Sequence, residues 1–152
     1  MRLVYYAFKG SSLLPEHSER LQVTAALIVR DDRVLITFRP SQALWEFPGG
    51  TLEPDETLED CLAREIQEEL NMGIKVERPF LSVDYNGEIT MTLHTFVCRV
   101  RFGEPAGVPG ETFVWAKKDH LSGYDFLPAD KLVVKAIQEM DGFFPEAAGE
   151  IT

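Results

Sequence analysis

Cysteine is scarce in this sequence: the chain has two among 152 residues, Cys61 and Cys98. They form no CxxC pair and are too few for a disulfide framework, so both are expected as buried packing residues. Histidine is scarce as well, and His17, His94 and His120 show no ligand spacing, which argues against zinc. Positive charge is short: Lys and Arg total 15 against 25 Asp and Glu, for a net charge of −10. Duplex nucleic acid and anionic membrane both need a positive footprint that such a chain lacks. No apolar run approaches the ~20 residues that cross a bilayer. The apolar start Met1–Phe8 is stopped by Lys9, short of a signal-peptide core of ~7–15 residues. These absences set the expectation of a reducing, cytoplasmic setting. Repeats, low-complexity tracts and linkers are also missing.

What is present is the mix of an ordinary globule, 45% hydrophobic and 26% charged. One domain over 1–152 is expected, with residues 1–20 as an N-terminal extension and 141–152 as a tail. Val23–Val29 reads as a strand buried on both faces. The turn signal Asp31-Asp32 and the run Arg33–Arg39 make it a hairpin, and Pro40 ends it. A short strand at Leu44–Phe47 leads into Pro48-Gly49-Gly50. The spacing predicts a helix over Thr57–Leu70, with Thr57 and Asp60 resembling a capping box and Asp55 as a rival N-cap. Asn71 stands where a helix end wants the left-handed region. Strands follow at Ile74–Glu77 and Phe80–Tyr85, and Asn86-Gly87 is a hairpin signal. Ile89, Met91, Leu93 and Val97 fall on one strand face. Phe102–Gly110 reads as an exposed loop, Thr112–Ala116 as a strand, and Leu132–Met140 as a second amphipathic helix. Phe143 and Phe144 are the residues able to tie the tail down. Two helices with a mixed, mostly antiparallel sheet imply an α+β or layered α/β domain.

Residues 53–69 concentrate the acid. They hold Glu53, Asp55, Glu56, Glu59, Asp60, Glu65, Glu68 and Glu69 against one base, Arg64. Such a run is ordinarily a solvated helix face. Phase argues otherwise: at ~100° per residue, with Glu65 at zero, Glu69 falls at about 40° and Leu58, Cys61, Leu62 and Ile66 flank them. Glu65 and Glu69 therefore sit within the apolar stripe, with Glu68 at its edge. Carboxylates on a core-facing stripe need a partner. By this reading one arginine cannot serve three acids, whereas a hard divalent cation can, and clustered carboxylate oxygens suit Mg²⁺ or Mn²⁺.

Gly50 through Met72 resembles the Nudix box, G-x5-E-x7-R-E-U-x-E-E-x-G-U with U aliphatic. Gly50, Glu56, Arg64, Glu65, Ile66, Glu68, Glu69 and Met72 match, and Asn71 replaces the family's glycine. Leu44–Gly50 after Phe38-Arg39-Pro40, with Phe126–Asp130 before the last helix, is similar to the MutT-type and CTP pyrophosphohydrolases of that family. The resemblance runs from about Val23 to Met140. It implies an α/β/α sandwich and an Mg²⁺-dependent, or Mn²⁺-dependent, pyrophosphohydrolase. The substrates implied are (deoxy)nucleoside triphosphates, oxidised or modified ones included, cut to monophosphate and pyrophosphate. It implies Glu65, Glu68 and Glu69 as metal ligands, the Gly49 carbonyl as a further one, and Glu65 or a loop carboxylate as base. Glu56 and Arg64 would orient the glutamates, and Glu111 is the candidate for an extra carboxylate. Arg39 is a phosphate or base contact or a solvated strand end. Phe47 and Phe126 touch a base or are plain core. Asp130 reads the base or caps the last helix. A nucleotide substrate is the expected partner, with no duplex nucleic acid and no membrane, for a monomer or homodimer. Other nucleoside diphosphate derivatives as substrates, and a catalytically silent nucleotide sensor, stay open.

Overall fold

β1 (Leu21–Arg30) is buried on both faces because its side chains alternate between two cores. Val23, Ala25, Leu27 and Val29 join one cluster, and Ala26 and Ile28 join the other. The computed structural model describes residues 20–144. The expectations for residues 1–19 and for the tail beyond 144 lie outside the described residues.

β1 is continued by β2 (Arg33–Arg39), β3 (Leu44–Glu46), β4 (Gly49–Thr51), α1 (Leu58–Leu70), β5 (Gly73–Asn86), β6 (Thr90–Phe102), β7 (Phe113–Lys117) and α2 (Pro128–Glu139). A 3₁₀ turn at Lys118–Gly123 joins β7 to α2. All seven strands belong to one sheet of order β3-β2-β1-β6-β5, to which β4 is added on β1 and β7 on β2. β1 and β6 run parallel, from Leu21 opposite Met91 to Val29 opposite Arg99. Every other pairing of strands is antiparallel. α1 covers one face through Leu62, Ile66 and Leu70, packed with Phe96, Cys98 and Phe113. α2 covers the other through Val133, Val134 and Ile137. The layers are the expected α/β/α sandwich around a mixed, mostly antiparallel sheet. No helix among the described residues is long and apolar enough to cross a membrane.

The departures from the sequence reading have local causes. Ile74–Glu77 and Phe80–Tyr85 are one strand, β5, whose register slips between Val76 and Arg78 and between Pro79 and Ser82. A proline cannot donate to a ladder, so it sits at a bulge. The Thr95 hydroxyl repairs the break, accepting from the Leu81 N–H at 3.0 Å and donating to its carbonyl at 2.7 Å. Asn86 pairs with Thr90, so the hairpin loop is Gly87-Glu88-Ile89 rather than a two-residue turn. β6 takes in Phe102, which the sequence reading placed in a loop. Asp125–Leu127 lies beside β3: the Trp45 N–H donates to the Asp125 carbonyl at 2.7 Å and the Leu127 N–H to the Trp45 carbonyl at 2.9 Å. α2 accordingly starts at Pro128, four residues before its first expected turn, with proline in the first turn where its missing N–H costs nothing. Phe143 is buried and meets Phe80 edge-on at 5.2 Å.

Candidate active site

The site is built at the junction of β4 and α1. Thr57 caps α1, its hydroxyl accepting from the Asp60 N–H at 3.1 Å. Asp55, the rival cap, instead turns the preceding loop at a φ of 66°. Asn71 ends the helix at a φ of 56°, its N–H donating to the Gln67 carbonyl. With both ends fixed, the helix presents Glu65 to the sheet, Glu69 half-buried, and Glu68 exposed. Glu65 is 7% exposed and lies against Gly50 of β4, where a Cβ would collide with its carboxylate. The sheet holds Gly50 in turn: the Thr24 hydroxyl donates to its carbonyl at 3.1 Å, and the Cys61 thiol lies 3.7 Å from the same oxygen. Burial raises the Cys61 thiol to about 11, so it stays protonated. Cys98 is likewise a buried, free thiol.

Arg64 reaches two of the three acids grouped by helix phase, Glu65 and Glu68, and adds Glu53 and Glu56 from the loop before the helix. Its guanidinium donates to Glu56 from Nε at 3.0 Å and Nη2 at 2.7 Å. Its Nη1 reaches Glu65 at 3.1 Å and Glu68 at 3.2 Å, with Glu53 at 3.5 Å. A planar fork with five N–H donors makes this possible where a point charge would not. Glu56 also accepts from the Glu53 N–H at 2.9 Å, closing the loop before the helix. The Arg64 hydrogen bonds, then that N–H, hold the Glu56 carboxyl down at about 2. Hydrogen bonds to Glu56 and Glu65 raise Arg64 above its ordinary value.

Four carboxylates around one guanidinium leave a net negative site made of hard oxygen donors, which is the chemistry that suits Mg²⁺ or Mn²⁺. As folded, these oxygens face Arg64. Among the described residues no three His, Cys, Asp or Glu side chains converge to hold an ion. Glu68, exposed at the helix surface, is the donor with room to turn, whereas Glu65 is packed against Gly50. Gly49 is buried in β4 opposite Ala25. Glu111 is exposed in the turn that leads into β7, its N–H donating to the Val108 carbonyl at 3.0 Å.

Arg39, Phe47 and Asp130 come together elsewhere, and none of them is open to a ligand as folded. Arg39 is 3% exposed, and its Nη2 donates to the buried Glu46 at 3.1 Å. It is neither a solvated strand end nor a surface contact. Phe47 is fully buried and stacks on buried Phe126 with ring centroids 5.3 Å apart, so both are core. Asp130, 1% exposed, is the third residue of α2 rather than its cap, which is Leu127. Its Oδ1 accepts from the Phe47 N–H at 2.9 Å. Burial, with the nearby Glu46 charge adding to it, pushes Asp130 up to about 8, against the opposing pull of the Phe47 N–H and Arg39. Asp130 is therefore protonated at neutral pH. Sequence reasoning missed Glu46; an acid set between Trp45 and Phe47, seven residues after an arginine, was the available signal.

A NUDIX-domain family model matches residues 20–146. The chain is 32% identical over 126 residues to the CTP pyrophosphohydrolase of Escherichia coli (strain K12), covering 79% of this chain and 93% of that protein. It is 29% identical over 128 residues to the 8-oxo-dGTP diphosphatase of the same organism, covering 80% and 99%. A MutT structure from work on the Aliivibrio salmonicida and Vibrio cholerae enzymes superposes with a TM-score of 0.68 at 27% identity, covering 80% of this chain and 98% of that one. These matches agree on one group of enzymes that act on phosphoric anhydrides, and the chain belongs to the Nudix hydrolase family.

Proposed function

We propose that the protein is a divalent-metal-dependent pyrophosphohydrolase of (deoxy)nucleoside triphosphates, oxidised or modified ones included, releasing nucleoside monophosphate and pyrophosphate. The observation that carries this reading is the Glu65 carboxylate set against Gly50, with Arg64 gathering Glu56, Glu65 and Glu68. The names of the relatives, a CTP pyrophosphohydrolase and an 8-oxo-dGTP diphosphatase, support a nucleoside triphosphate as the substrate class.

Glu65, Glu68 and Glu69 would hold the metal, with the Gly49 carbonyl and Glu111 as further donors. When bound, Mg²⁺ or Mn²⁺ supplies charge neutralisation of phosphate oxygens and a lowered pKa for water. The chain's own residues do the rest. Arg64 and Glu56 fix the loop before α1 and set the angle at which the glutamates leave the helix, a positioning role. Glu65 or a loop carboxylate would take a proton from the attacking water.

The test is a panel of normal and damaged nucleoside triphosphates with Mg²⁺ or Mn²⁺. Pyrophosphate and monophosphate are the expected products from at least one, and EDTA abolishes the reaction. Release of orthophosphate and nucleoside diphosphate from every active substrate would refute the reading.

A further inference from the structure

The Gly50 carbonyl is held by side chains from two different elements. The Thr24 hydroxyl, from β1, donates to it at 3.1 Å, and the Cys61 thiol, from α1, donates at 3.7 Å. The two side chains also meet each other, Oγ1 to Sγ at 3.5 Å, and Arg64 Nη2 donates to the same sulfur at 3.9 Å. Thr24 and Cys61 are both fully buried. One oxygen thus joins β1, β4 and α1 at the glycine against which Glu65 is packed. Neighbouring carbonyls of an extended strand point to opposite edges. The Gly50 carbonyl faces β1, and so does that of Pro48, which accepts from the Ala26 N–H at 2.7 Å. The Gly49 carbonyl between them therefore leaves by the other edge of β4. No strand among the described residues pairs on that edge, since β4 pairs with β1 alone. β4 is three residues long and two of them are glycines, so its own ladder holds it weakly.

We propose that Thr24 is a positioning residue for the divalent-metal site, with Cys61 as its partner. By tying the Gly50 carbonyl to β1, the pair keeps the Gly49 carbonyl on the open edge of β4 and Glu65 in its seat. The inference rests on the metal-dependent reading above and names what sets the affinity of that site. Neither side chain touches the ion; both act through the backbone of β4. Groups that hold a metal ligand in place in this way are worth about 10–100-fold in metal affinity or activity. A short glycine strand needs such a tie more than a long one with side chains to pack.

The experiment measures Mn²⁺ affinity on the protein alone, from the electron paramagnetic resonance signal of the free ion. Beside it stands the Mg²⁺ concentration that gives half-maximal cleavage of a nucleoside triphosphate. Thr24→Val keeps the shape and removes the hydroxyl, and Thr24→Ser keeps the hydroxyl. Thr24→Val is expected to weaken Mn²⁺ about tenfold and to raise the Mg²⁺ requirement by a similar factor. Thr24→Ser stays within about twofold of wild type. Cys61→Ala removes the second donor, is expected to weaken Mn²⁺ about threefold, and carries the test where Thr24→Val does not fold. A folded Thr24→Val protein with a lower Tm but Mn²⁺ affinity within about twofold of wild type shows a hydroxyl that only stabilises, and overturns the proposal. Thr24→Ser losing as much as Thr24→Val overturns it too, as does unchanged affinity in Cys61→Ala where that variant stands alone. Wild-type protein that binds no Mn²⁺ and cleaves no nucleoside triphosphate overturns the metal-dependent reading, and this inference with it.

Discussion

At the scale of single residues, Glu65 and Asp130 are both buried acids with different neighbours. Glu65 has Arg64 at 3.1 Å. Glu65→Gln keeps the shape and removes the charge, and kcat is expected to fall ~10²–10⁴-fold with folding retained. A variant keeping more than half its activity would exclude Glu65 as ligand and as base. Asp130 has burial and the Glu46 charge against it, and its folded value of about 8 lies well above the ordinary 3.8. The folded chain therefore holds a proton that the unfolded chain has given up. Asp130's contribution is full below about pH 4 and is lost as pH rises through about 8, on the order of a few kcal/mol. Denaturant melts of wild type across that window should show the decline. Asp130→Asn, which keeps an oxygen for the Phe47 N–H, should flatten it. Equal slopes for the two proteins would mean Asp130 is ionised when folded.

At the scale of elements, β4 and α1 act as one unit because Gly50 leaves the room that Glu65 occupies. Gly50→Ala is expected to push that carboxylate out and cut kcat by at least ~10²-fold, with a smaller change in KM. Unchanged kcat would mean the glutamate works from another position. Helix phase made this face of α1 readable from residues alone, since Glu65 falls among Leu62 and Ile66. Phase could not reveal that Arg64 spans several acids, because the loop bearing Glu53 and Glu56 returns to the helix only in three dimensions. Strands were readable where side chains alternate, as in β6, or where a short apolar run is buried on both faces, as in β1. β4 was not, being Gly49-Gly50-Thr51, a segment with no side-chain pattern to read. The same holds for Arg39 and Glu46: adjacent strands bring them together, and a sequence shows only a charge at each position.

At the scale of the whole molecule, a chain with a net charge of −10 carries a cluster of carboxylates around one arginine. A divalent cation that binds only the folded cluster stabilises by mass action, about 2.7 kcal/mol at a hundredfold excess over Kd. For a chain of this size that is a rise in Tm of roughly 5–10 °C. Thermal melts with and without Mg²⁺, with Ca²⁺-free NaCl of equal ionic strength as control, should separate this from screening. No rise with Mg²⁺ or Mn²⁺ would mean that neither ion binds the folded chain at these concentrations.

The parallel join of β1 to β6 bears on how the chain acquires its activity. From Leu21 to Val29, each β1 residue meets a partner seventy positions further on. The β5–β6 hairpin closes over a three-residue loop and can form early, whereas the β1–β6 join must close a long loop before it gains anything. Gly50 is held by Thr24, a β1 residue, so the floor of the glutamate site waits for β1 to find its place. A refolding chain should therefore regain hairpin structure first and turnover last. Emerging from the ribosome, the chain presents β1, β4 and the glutamate helix well before β6, the strand that fixes β1 in the sheet.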